Sequence, residues 1–466
     1  MNISLIFLYL LATANLIYII HIGLFTVGAN SYDIMRFKKA HDQLLKPQPK
    51  LPLKQPRLKL VSVIIPAHNE ANVIRRTLDS VLANSYQNIE VIVVNDGSTD
   101  KTVQIARDYI KRLKKNKNMR VWSYFDIKGY ARNQKPRYIS INRKNCRVRI
   151  ITQKNQGKAM AMNNAIKNHV KGQLIMCLDA DSILHPKAIE RAVSYFKHNN
   201  IIGVAANVRV IESSSILGRV QRFEHMIGYR SKKFYSLTNS EFIIGGVAST
   251  YRKSVIKKVK FYDDDTLTED IGLSLKIVSQ KGNRKHRIIY ASDVVAFTEG
   301  VQSFGDLLKQ RYRWKMGNLQ NLYKYKHLVG KYKPDTYSRM LTLYRLPMAI
   351  LSELLLIIEP VLVGYIVYLS ISYHTYGIVI GAYLTITLYT MTVLWPDEHL
   401  TTSDKLKMSL SAIWIYVFFY IMDIVQLYSV FKSLHLYKNI IHSDRTLSTW
   451  ISPKRSSREI LSANQA

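Results

Sequence analysis

The sequence predicts an α/β fold class, with a mostly parallel sheet covered by helices on both faces, joined to an α-helical membrane region. Two observations lead to this prediction. Between residues 60 and 300, short apolar runs rich in β-branched residues alternate with helical stretches, and repeated strand–helix–strand units form parallel sheets. Long apolar blocks, by contrast, are confined to the two ends of the 466-residue chain.

The elements of the α/β region can be placed in order. The predicted strands are Val61–Ile65, Glu90–Asn95, Val148–Thr152, Gln173–Leu178 and Ile288–Val295, and the predicted helices between them are Ala71–Ala83, Thr102–Lys114, Lys158–His169 and Pro186–Lys197. Ligands of open parallel sheets bind beyond the carboxyl ends of the strands. Polar residues that follow these strands are therefore the candidates for chemistry.

The first apolar block, from Ile3 to about Val27, is long enough to cross about 30 Å of hydrocarbon as a helix. A secretory signal is the alternative, but no Lys or Arg precedes the block and no clear small-residue cleavage site follows it. Basic residues are frequent from Arg36 to Lys59, as is typical of a cytoplasmic flank. We predict a transmembrane anchor over residues 1–30 and a basic juxtamembrane linker over residues 31–59.

Three further apolar blocks predict C-terminal transmembrane helices over residues 341–434, before a basic tail at 435–466. These blocks are Leu346–Tyr373, Gly377–Trp395 and Met408–Leu434. Glu353 lies inside the first block, and a carboxylate in a span usually faces protein, water or a pore rather than lipid. Alternatively, Glu353 marks an interfacial segment and the span starts later.

The number of spans leaves a conflict. One N-terminal and three C-terminal spans place the C-terminus outside the cell, whereas the basic tail favours the cytoplasm. Two half-spans within residues 340–396, or a third block that lies flat on the membrane, would resolve it.

The chain has 67 Lys and Arg against 32 Asp and Glu, a formal net charge of +35. This charge implies an anionic partner, such as nucleic acid, a membrane surface or a phosphorylated substrate. Much of it lies after the first apolar block, in an insert at residues 115–147 and in the tail, places that suit anionic lipid. No nucleic-acid motif accompanies these segments, so we expect membrane lipids and no nucleic acid as partners.

Polar groups follow the first two strands. The first strand leads into Pro66-Ala67-His68-Asn69-Glu70, and the second into Asn95-Asp96-Gly97-Ser98-Thr99-Asp100. Taken alone, Asp96 and Asp100 could simply cap a turn and the helix that begins at Thr102.

The fourth strand ends in Asp179-Ala180-Asp181. Residues two apart in an extended chain point to the same side, so both carboxylates can supply hard oxygen ligands to Mg²⁺ or Mn²⁺. Upstream, Lys158 opens a helix, and its ammonium and the free N–H groups there suit a phosphate. A cap and a turn are again the structural alternative.

Two later motifs carry charged side chains. Thr268-Glu269-Asp270 precedes a predicted helix, where an unpaired carboxylate can act as a general base or merely cap the helix. In Gln310-Arg311-Tyr312-Arg313-Trp314, the side chains of Gln310, Arg313 and Trp314 share one helical face. Such a stripe suits an interfacial anchor, or equally a site that holds a diphosphate and stacks on a sugar.

In this order, the motifs resemble those of the processive, membrane-embedded family 2 glycosyltransferases. That family is marked by an Asp after the second strand, a D-x-D, a T/E-D base motif and Q-x-x-R-W, which here correspond to Asp96, Asp179-Ala180-Asp181, Thr268-Glu269-Asp270 and Gln310–Trp314. Cellulose, hyaluronan and poly-N-acetylglucosamine synthases are members, and the layout is most similar to the bacterial poly-N-acetylglucosamine synthase. Phe242–Gly246, with Gly245, looks like the acceptor-floor segment of that group.

The resemblance implies a cytosolic GT-A (Rossmann-like) domain over residues 60–300 and interfacial helices with Q-x-x-R-W over residues 301–340. It implies inverting, processive transfer from a UDP-sugar, with UDP-GlcNAc the best guess, to a growing β-linked polysaccharide that is exported through the enzyme's own helices. A non-processive enzyme that adds one sugar to a lipid or glycan is the alternative. The implied location is the plasma membrane, with the catalytic domain in the cytoplasm, and a small membrane accessory subunit is compatible with it.

The resemblance also implies roles for the candidate site residues. Pro66, Glu70 and Asp96 would hold the uridine, and Lys158 the diphosphate. Asp181, with Asp179, would hold Mg²⁺ or Mn²⁺. Asp270 would be the general base, with Glu269 as the second candidate. Gln310, Arg313 and Trp314 would close over the donor.

The chain departs from the family pattern in two places. The basic insert at 115–147 replaces a short link, and Thr298-Glu299-Gly300 stands where relatives tend to have Glu-x-Pro.

Overall fold

A computed structural model describes residues 13, 17, 20–38, 59–115, 146–211, 215–397 and 399–441. Much of the predicted anchor, most of the basic linker, nearly all of the insert, and all but the first residues of the tail lie outside the described residues. Residues 20–38 form a helix, α1, which continues past the apolar block to Lys38.

Eight strands form one sheet in the order β3-β2-β1-β4-β7-β6-β8-β5. The strands are β1 Val61–Ala67, β2 Ile89–Asp96, β3 Cys146–Gln153, β4 Leu174–Cys177, β5 Ile183–Leu184, β6 Ile201–Val210, β7 Ser249–Arg252 and β8 Arg287–Thr298. The half made of β3, β2, β1 and β4 is entirely parallel. In the other half β6 and β8 are parallel, whereas β7 and β5 run antiparallel to their neighbours. All five predicted strands are confirmed, and the sheet is mixed rather than purely parallel.

The helices between the strands cover both faces of the sheet, and further helices follow the last strand. They are α2 Ile74–Leu82, α3 Thr102–Lys115, α4 Lys158–Asn164, α5 Ala188–Tyr195, α6 Ile216–Leu237, α7 Lys253–Lys258, α8 Glu269–Lys281, α9 Phe304–Lys324, α10 Leu346–Ser372, α11 Tyr376–Leu394, α12 Thr402–His435 and α13 Tyr437–Ile441. Neighbouring residues of β1 enter different cores: Ile64 packs towards α4 and α8, and Val63 and Ile65 pack towards α2 and α5. Burial on both faces explains why these strands are continuous apolar runs.

The three C-terminal apolar blocks coincide with α10, α11 and α12. Two stretches, Met340–Ser372 and Val417–His435, are long and apolar enough to cross a membrane, and only 11% and 28% of their most apolar windows are buried. The carboxylate of Glu353 faces protein, one of the surroundings expected for it, because it accepts hydrogen bonds from Lys315 Nζ (2.8 Å) and Asn318 Nδ2 (3.2 Å) of α9. The first of the three C-terminal blocks, helix α10, is therefore bound to helix α9, which carries Gln310–Trp314.

Candidate active site

The loops that follow β1 and β2 are bound to each other at the carboxyl edge of the sheet. Asn69 Oδ1 accepts a hydrogen bond from Thr99 N (2.8 Å), and His68 Nδ1 lies 2.8 Å from Asp96 O. Asn69 adopts a left-handed conformation, with φ of 57°, that turns its side chain back onto the second loop. The two polar clusters predicted at the strand ends therefore form one wall of a cleft.

Asp96 fixes the turn that leads into α4. Its Oδ1 accepts hydrogen bonds from Gln156 N (3.0 Å) and Gln153 Nε2 (2.8 Å), and its Oδ2 accepts from Gly157 N (2.9 Å). Asp100, by contrast, caps α3 by accepting from Thr102 N (2.9 Å), the structural role considered for both residues. Asp96 thus connects the carboxyl end of β2 to the turn that precedes Lys158 of α4.

Pro66 and Glu70 border the same cleft. Pro66 is the sixth residue of β1 and pairs in register with Val94 of β2. Glu70 is buried, and its backbone N–H donates to Thr102 Oγ1 (2.8 Å). Both lie on the wall that also carries Asp96.

Lys158 lies at the centre of an acidic cluster. Its Nζ is 2.6 Å from Asp179 Oδ1 and 3.3 Å from Glu269 Oε1. Burial lowers the pKa of Lys158, but the carboxylates of Asp179, Glu269 and Asp270 together raise it above its ordinary value. The predicted phosphate-binding lysine, the D-x-D and the T-E-D motif thus meet at one point, although they are far apart in the sequence.

Residues of α2 hold the D-x-D loop. Arg76 donates to the backbone oxygen of Asp181 (3.1 Å) and forms an ion pair with Glu299 (2.5 Å). Thr77 Oγ1 donates to Ala180 O (2.6 Å). Sequence reasoning missed both residues of α2. Glu299 lies in the segment that departs from the family pattern, and it pairs with Arg76.

The oxygen donors present fit a divalent cation only in part. Asp179 and Asp181 provide carboxylate oxygens, the ligands that Mg²⁺ and Mn²⁺ prefer. Within the described ranges, however, no group of three or more His, Cys, Asp or Glu side chains could hold a metal ion. A cation at this D-x-D would therefore need further oxygens from a substrate diphosphate and water.

Asp270 lies in the first turn of α8, with its Oδ1 2.9 Å from Ile271 N. Burial and the neighbouring carboxylate of Glu269 raise the pKa of Asp270 to about 6, and Lys158 opposes this effect. A Cβ on Gly246 would lie 2.6 Å from Lys158 Nζ and 3.7 Å from Asp270 Oδ2, so a larger residue there would displace the lysine ammonium. A Cβ on Gly245 would lie 4.0 Å from Asp270 Oδ2, which places the predicted acceptor-floor segment beside the base candidate.

Glu269, the second base candidate, is held by cations on both sides. Its Oε1 faces Lys158, and its Oε2 lies 3.6 Å from an Arg313 guanidinium nitrogen. Arg313 also donates through Nε to Leu267 O (3.1 Å). Both carboxylate oxygens of Glu269 are therefore engaged in ion pairs.

Helix α9 packs directly on the T-E-D loop. A Cβ on Gly317 would lie 2.5 Å from Thr268 Oγ1 and 2.8 Å from Thr268 N, so the close approach requires glycine. Asn321 Nδ2 donates to Thr268 O (3.1 Å), and Gln320 Oε1 accepts from Leu267 N (2.9 Å). These three residues of α9 were not predicted, since no local pattern distinguishes them from ordinary helix positions.

The three residues of the predicted stripe differ in their surroundings. Arg313 reaches the acidic cluster, whereas Trp314 is 39% exposed and stacks on Arg311, whose guanidinium carbon lies 4.5 Å from the ring centroid. Arg311 in turn binds both carboxylate oxygens of Glu224 on α6, at 2.7 and 2.6 Å. Gln310 Oε1 is buried without a hydrogen-bond partner among the described residues.

A parallel half-sheet that ends in a D-x-D, beside a buried carboxylate and a covering helix, is typical of a site for group transfer from a nucleotide-activated donor. The sequence model of glycosyl transferase family 2 matches residues 62–260, and that of glycosyl transferase family group 2 matches residues 174–427. The chain belongs to the family 2 glycosyltransferases and has their GT-A fold. It is a glycosyltransferase.

Among curated proteins, the chain is 32% identical over 260 residues to a poly-β-1,6-N-acetyl-D-glucosamine synthase of Staphylococcus aureus, covering 55% of this chain and 54% of that protein. It is 30% identical over 287 residues to the synthase of the same name from Staphylococcus epidermidis, covering 61% and 59%. The chain thus matches a little over half the length of these relatives. A solved mannosyltransferase of Pyrobaculum calidifontis, in complex with GDP-Man and Mn²⁺, is 18% identical with a TM-score of 0.48, covering 84% of this chain and 98% of that one.

Proposed function

We propose that this glycosyltransferase uses UDP-GlcNAc to extend a β-linked polysaccharide processively, with inversion at the anomeric carbon and export through its own membrane helices. The observation that carries the proposal is the convergence of Lys158, Asp179, Asp270 and Arg313 in one cleft. The similarity to poly-β-1,6-N-acetyl-D-glucosamine synthases supports the choice of sugar and polymer.

The donor would lie along the carboxyl edge of the sheet. Pro66, Glu70 and Asp96 line the wall proposed for the uridine. Asp96 also holds the turn before Lys158, so it would fix the position of the uracil ring relative to the diphosphate. Lys158 would contact the diphosphate, since a flexible ammonium can turn from the carboxylate of Asp179 towards phosphate oxygens.

Asp179 and Asp181 would hold Mg²⁺ or Mn²⁺ together with diphosphate oxygens and water. When bound, the ion would supply neutralisation of the negative charge that develops on the departing UDP. Arg76 and Thr77 would position this loop, because they hold the backbone oxygens of Asp181 and Ala180.

Asp270 would act as the general base. Its raised pKa of about 6 makes it a better proton acceptor than an ordinary carboxylate, yet it stays ionised at neutral pH. The acceptor hydroxyl oxygen would form a bond to the anomeric carbon as the bond from that carbon to the diphosphate breaks. The hydroxyl proton would pass to Asp270 and UDP would leave, so one displacement converts an α-linked donor into a β-linked product.

The C-terminal helices would hold the enzyme in the plasma membrane with its catalytic domain in the cytoplasm. Many of their large apolar side chains are exposed, for example Val361 (57%), Leu388 (62%) and Trp414 (72%). Large exposed apolar surfaces are rare on soluble proteins, and they suit contact with lipid. The proposed layout keeps an anchor over 1–30, a cytosolic domain over 60–300, interfacial helices over 301–340 and spans over 341–434.

A panel of labelled donors tests the proposal. The purified protein, in detergent with Mg²⁺ or Mn²⁺, receives radiolabelled UDP-GlcNAc, UDP-Glc or UDP-GlcA separately, and the products are resolved by gel. We expect long polymer from UDP-GlcNAc alone. Polymer from another donor would show that the enzyme uses that donor's sugar instead of GlcNAc. A product with a single added sugar would replace the processive synthase by the lipid- or glycan-modifying alternative.

A further inference from the structure

Two basic segments lie next to each other directly before the first C-terminal helix that is proposed to cross the membrane. They are residues 281–286, at the end of α8, and residues 326–339, between α9 and α10, and together they are called the basic surface. Seven Lys and Arg residues in these segments stand against one carboxylate, Asp335, which leaves a formal net charge of +6. None of these residues belongs to the candidate active site.

The two segments of the basic surface are joined by main-chain hydrogen bonds. The backbone N–H groups of Asn283 and Arg284 both donate to Thr336 O, at 3.1 and 3.0 Å. Ser338 N donates to Asn283 Oδ1 at 2.8 Å. Gly282 has a φ of 66°, and a Cβ there would collide with Thr336 O, so this close approach favours glycine. The charges of both segments are therefore held on one part of the protein surface.

The positive charge of the basic surface is not compensated by neighbouring acids. Among the described residues, no carboxylate forms an ion pair with any of the seven cations. Three of the cations lie over aromatic rings instead: Lys326 over Tyr323 (4.2 Å to the centroid), Lys331 over Tyr337 (5.6 Å) and Arg339 over Tyr332 (5.2 Å). A ring orients a cation but does not neutralise it, so the charge remains available to an anionic partner.

Exposed tyrosines lie among these cations. Tyr332 is 60% exposed and Tyr323 is 38% exposed. A tyrosine has an apolar ring and a polar tip, which suits the boundary between lipid headgroups and hydrocarbon. The stretch that is apolar enough to cross a membrane, Met340–Ser372, begins at the residue after Arg339. The basic surface therefore lies where the chain enters the proposed membrane span.

We infer that the basic surface binds the headgroups of anionic phospholipids in the leaflet that this span enters. Lys and Arg side chains at an anionic bilayer are attracted by its negative surface potential. The adjoining apolar helix favours a bilayer over a soluble polyanion such as nucleic acid, because it would hold the surface at the headgroup layer. The inference rests on the proposed membrane insertion of α10, but not on the sugar or the polymer.

The lipid selectivity of the full chain, reconstituted without sugar donor, tests the inference. Phosphatidylcholine bilayers carry a trace of spin-labelled phosphatidylglycerol or spin-labelled phosphatidylcholine, and electron spin resonance measures how much of each lipid the protein immobilises. We expect phosphatidylglycerol to be preferred about fivefold at low salt, as one Lys or Arg contact per headgroup would give. The preference should largely disappear in about 1 M NaCl, where the Debye length is only about 3 Å.

A pair of variants locates the preference on the protein. Lys331→Gln with Lys333→Gln should reduce the preference for phosphatidylglycerol at low salt by about twofold or more. The matched control, Lys101→Gln with Lys111→Gln, removes the same charge at exposed positions at the start and in the middle of α3, and it should keep the wild-type preference. UDP release should equal that of the wild type in both variants, since none of the four lysines belongs to the candidate active site.

Equal immobilisation of the two lipids, or an equal loss of preference in the control, would overturn the inference and leave the proposed function intact. Absence of immobilised lipid of either kind would overturn the proposed membrane insertion, and this inference with it. A signal for binding single-stranded DNA that only the Lys331 and Lys333 variant loses, without any lipid preference, would assign the basic surface to nucleic acid instead.

Discussion

Lys158 and Asp179 form an ion pair in which Nζ lies 2.6 Å from Oδ1. In the structure this lysine provides the positive charge that the D-x-D carboxylate requires. When metal and donor bind, the divalent cation would replace Lys158 as the partner of the Asp179 carboxylate. The diphosphate would replace Asp179 as the partner of the Lys158 ammonium. Donor binding and metal binding should therefore depend on each other.

The first prediction concerns the metal. EDTA should abolish sugar transfer by the wild type, and excess Mg²⁺ or Mn²⁺ should restore it. Asp181→Ala should remain at background with or without added metal, because it loses a ligand that water cannot replace with equal charge. Transfer is measured as UDP release. Full activity of Asp181→Ala in EDTA would show that transfer does not require a metal ion.

The second prediction concerns the base. Asp270→Asn keeps the shape of the side chain and removes the proton acceptor, so it should bind UDP normally and lower turnover by about 10²–10⁴-fold. Asp108→Asn on α3, where the side chain is 47% exposed, is the matched control and should retain wild-type turnover. If Asp270→Asn turns over normally while Glu269→Gln does not, Glu269 is the base.

The third prediction is a pH profile. The pKa of Asp270 is raised to about 6, mainly by burial, and the base must be ionised to accept a proton. Transfer efficiency should therefore be constant near pH 7–8 and fall about tenfold per pH unit once the pH drops below about 6. The measurement is kcat/KM for the donor between pH 5 and 8. A profile that stays flat down to pH 5 would mean that the ionisation of Asp270 does not limit transfer.

Much of the catalytic half of the sheet could be predicted from the sequence, and for a physical reason. Strands β1, β2 and β4 are buried on both faces, so each is a largely apolar run that ends at a polar cluster. Strand β6 was missed because Gly203, Ala205 and Ala206 interrupt its β-branched pattern. Strands β5 and β7 have only two and four residues, too few to show a period.

Some residues of the candidate site could likewise be predicted from the sequence, and others could not. Residues with reactive side chains, such as Asp179, Asp270 and Arg313, stand in short motifs that the sequence displays. The residues that position them are recognisable only through tertiary contacts. Arg76 is 223 positions from its partner Glu299, and Gly317 matters only because Thr268 lies against it. No local pattern encodes such pairs.

The fourth prediction tests the packing of α9 on the T-E-D loop. Gly317→Ala adds a Cβ that would lie 2.5 Å from Thr268 Oγ1 and 2.8 Å from its backbone nitrogen, so the helix or the loop must move. A displacement of about 1 Å at a catalytic group can cost about 10²-fold in rate. Gly305→Ala in the same helix meets nothing within 4 Å and is the matched control. Equal UDP release by both variants would show that this contact does not position Asp270.

The last prediction concerns processivity and Trp314. Its ring is 39% exposed and is held by Arg311, which Glu224 fixes through two hydrogen bonds, so the indole offers a rigid plane on which an acceptor sugar can stack. Trp314→Ala should shorten the polymer to oligomers or free sugar while UDP binding changes little, because the proposed diphosphate contact is made by Lys158. Phe304→Ala is the matched control, since Phe304 is an exposed aromatic of the same helix. Product length on a gel is compared with UDP release for each protein. Long polymer at the normal rate from Trp314→Ala would mean that the indole only anchors α9 at the membrane interface.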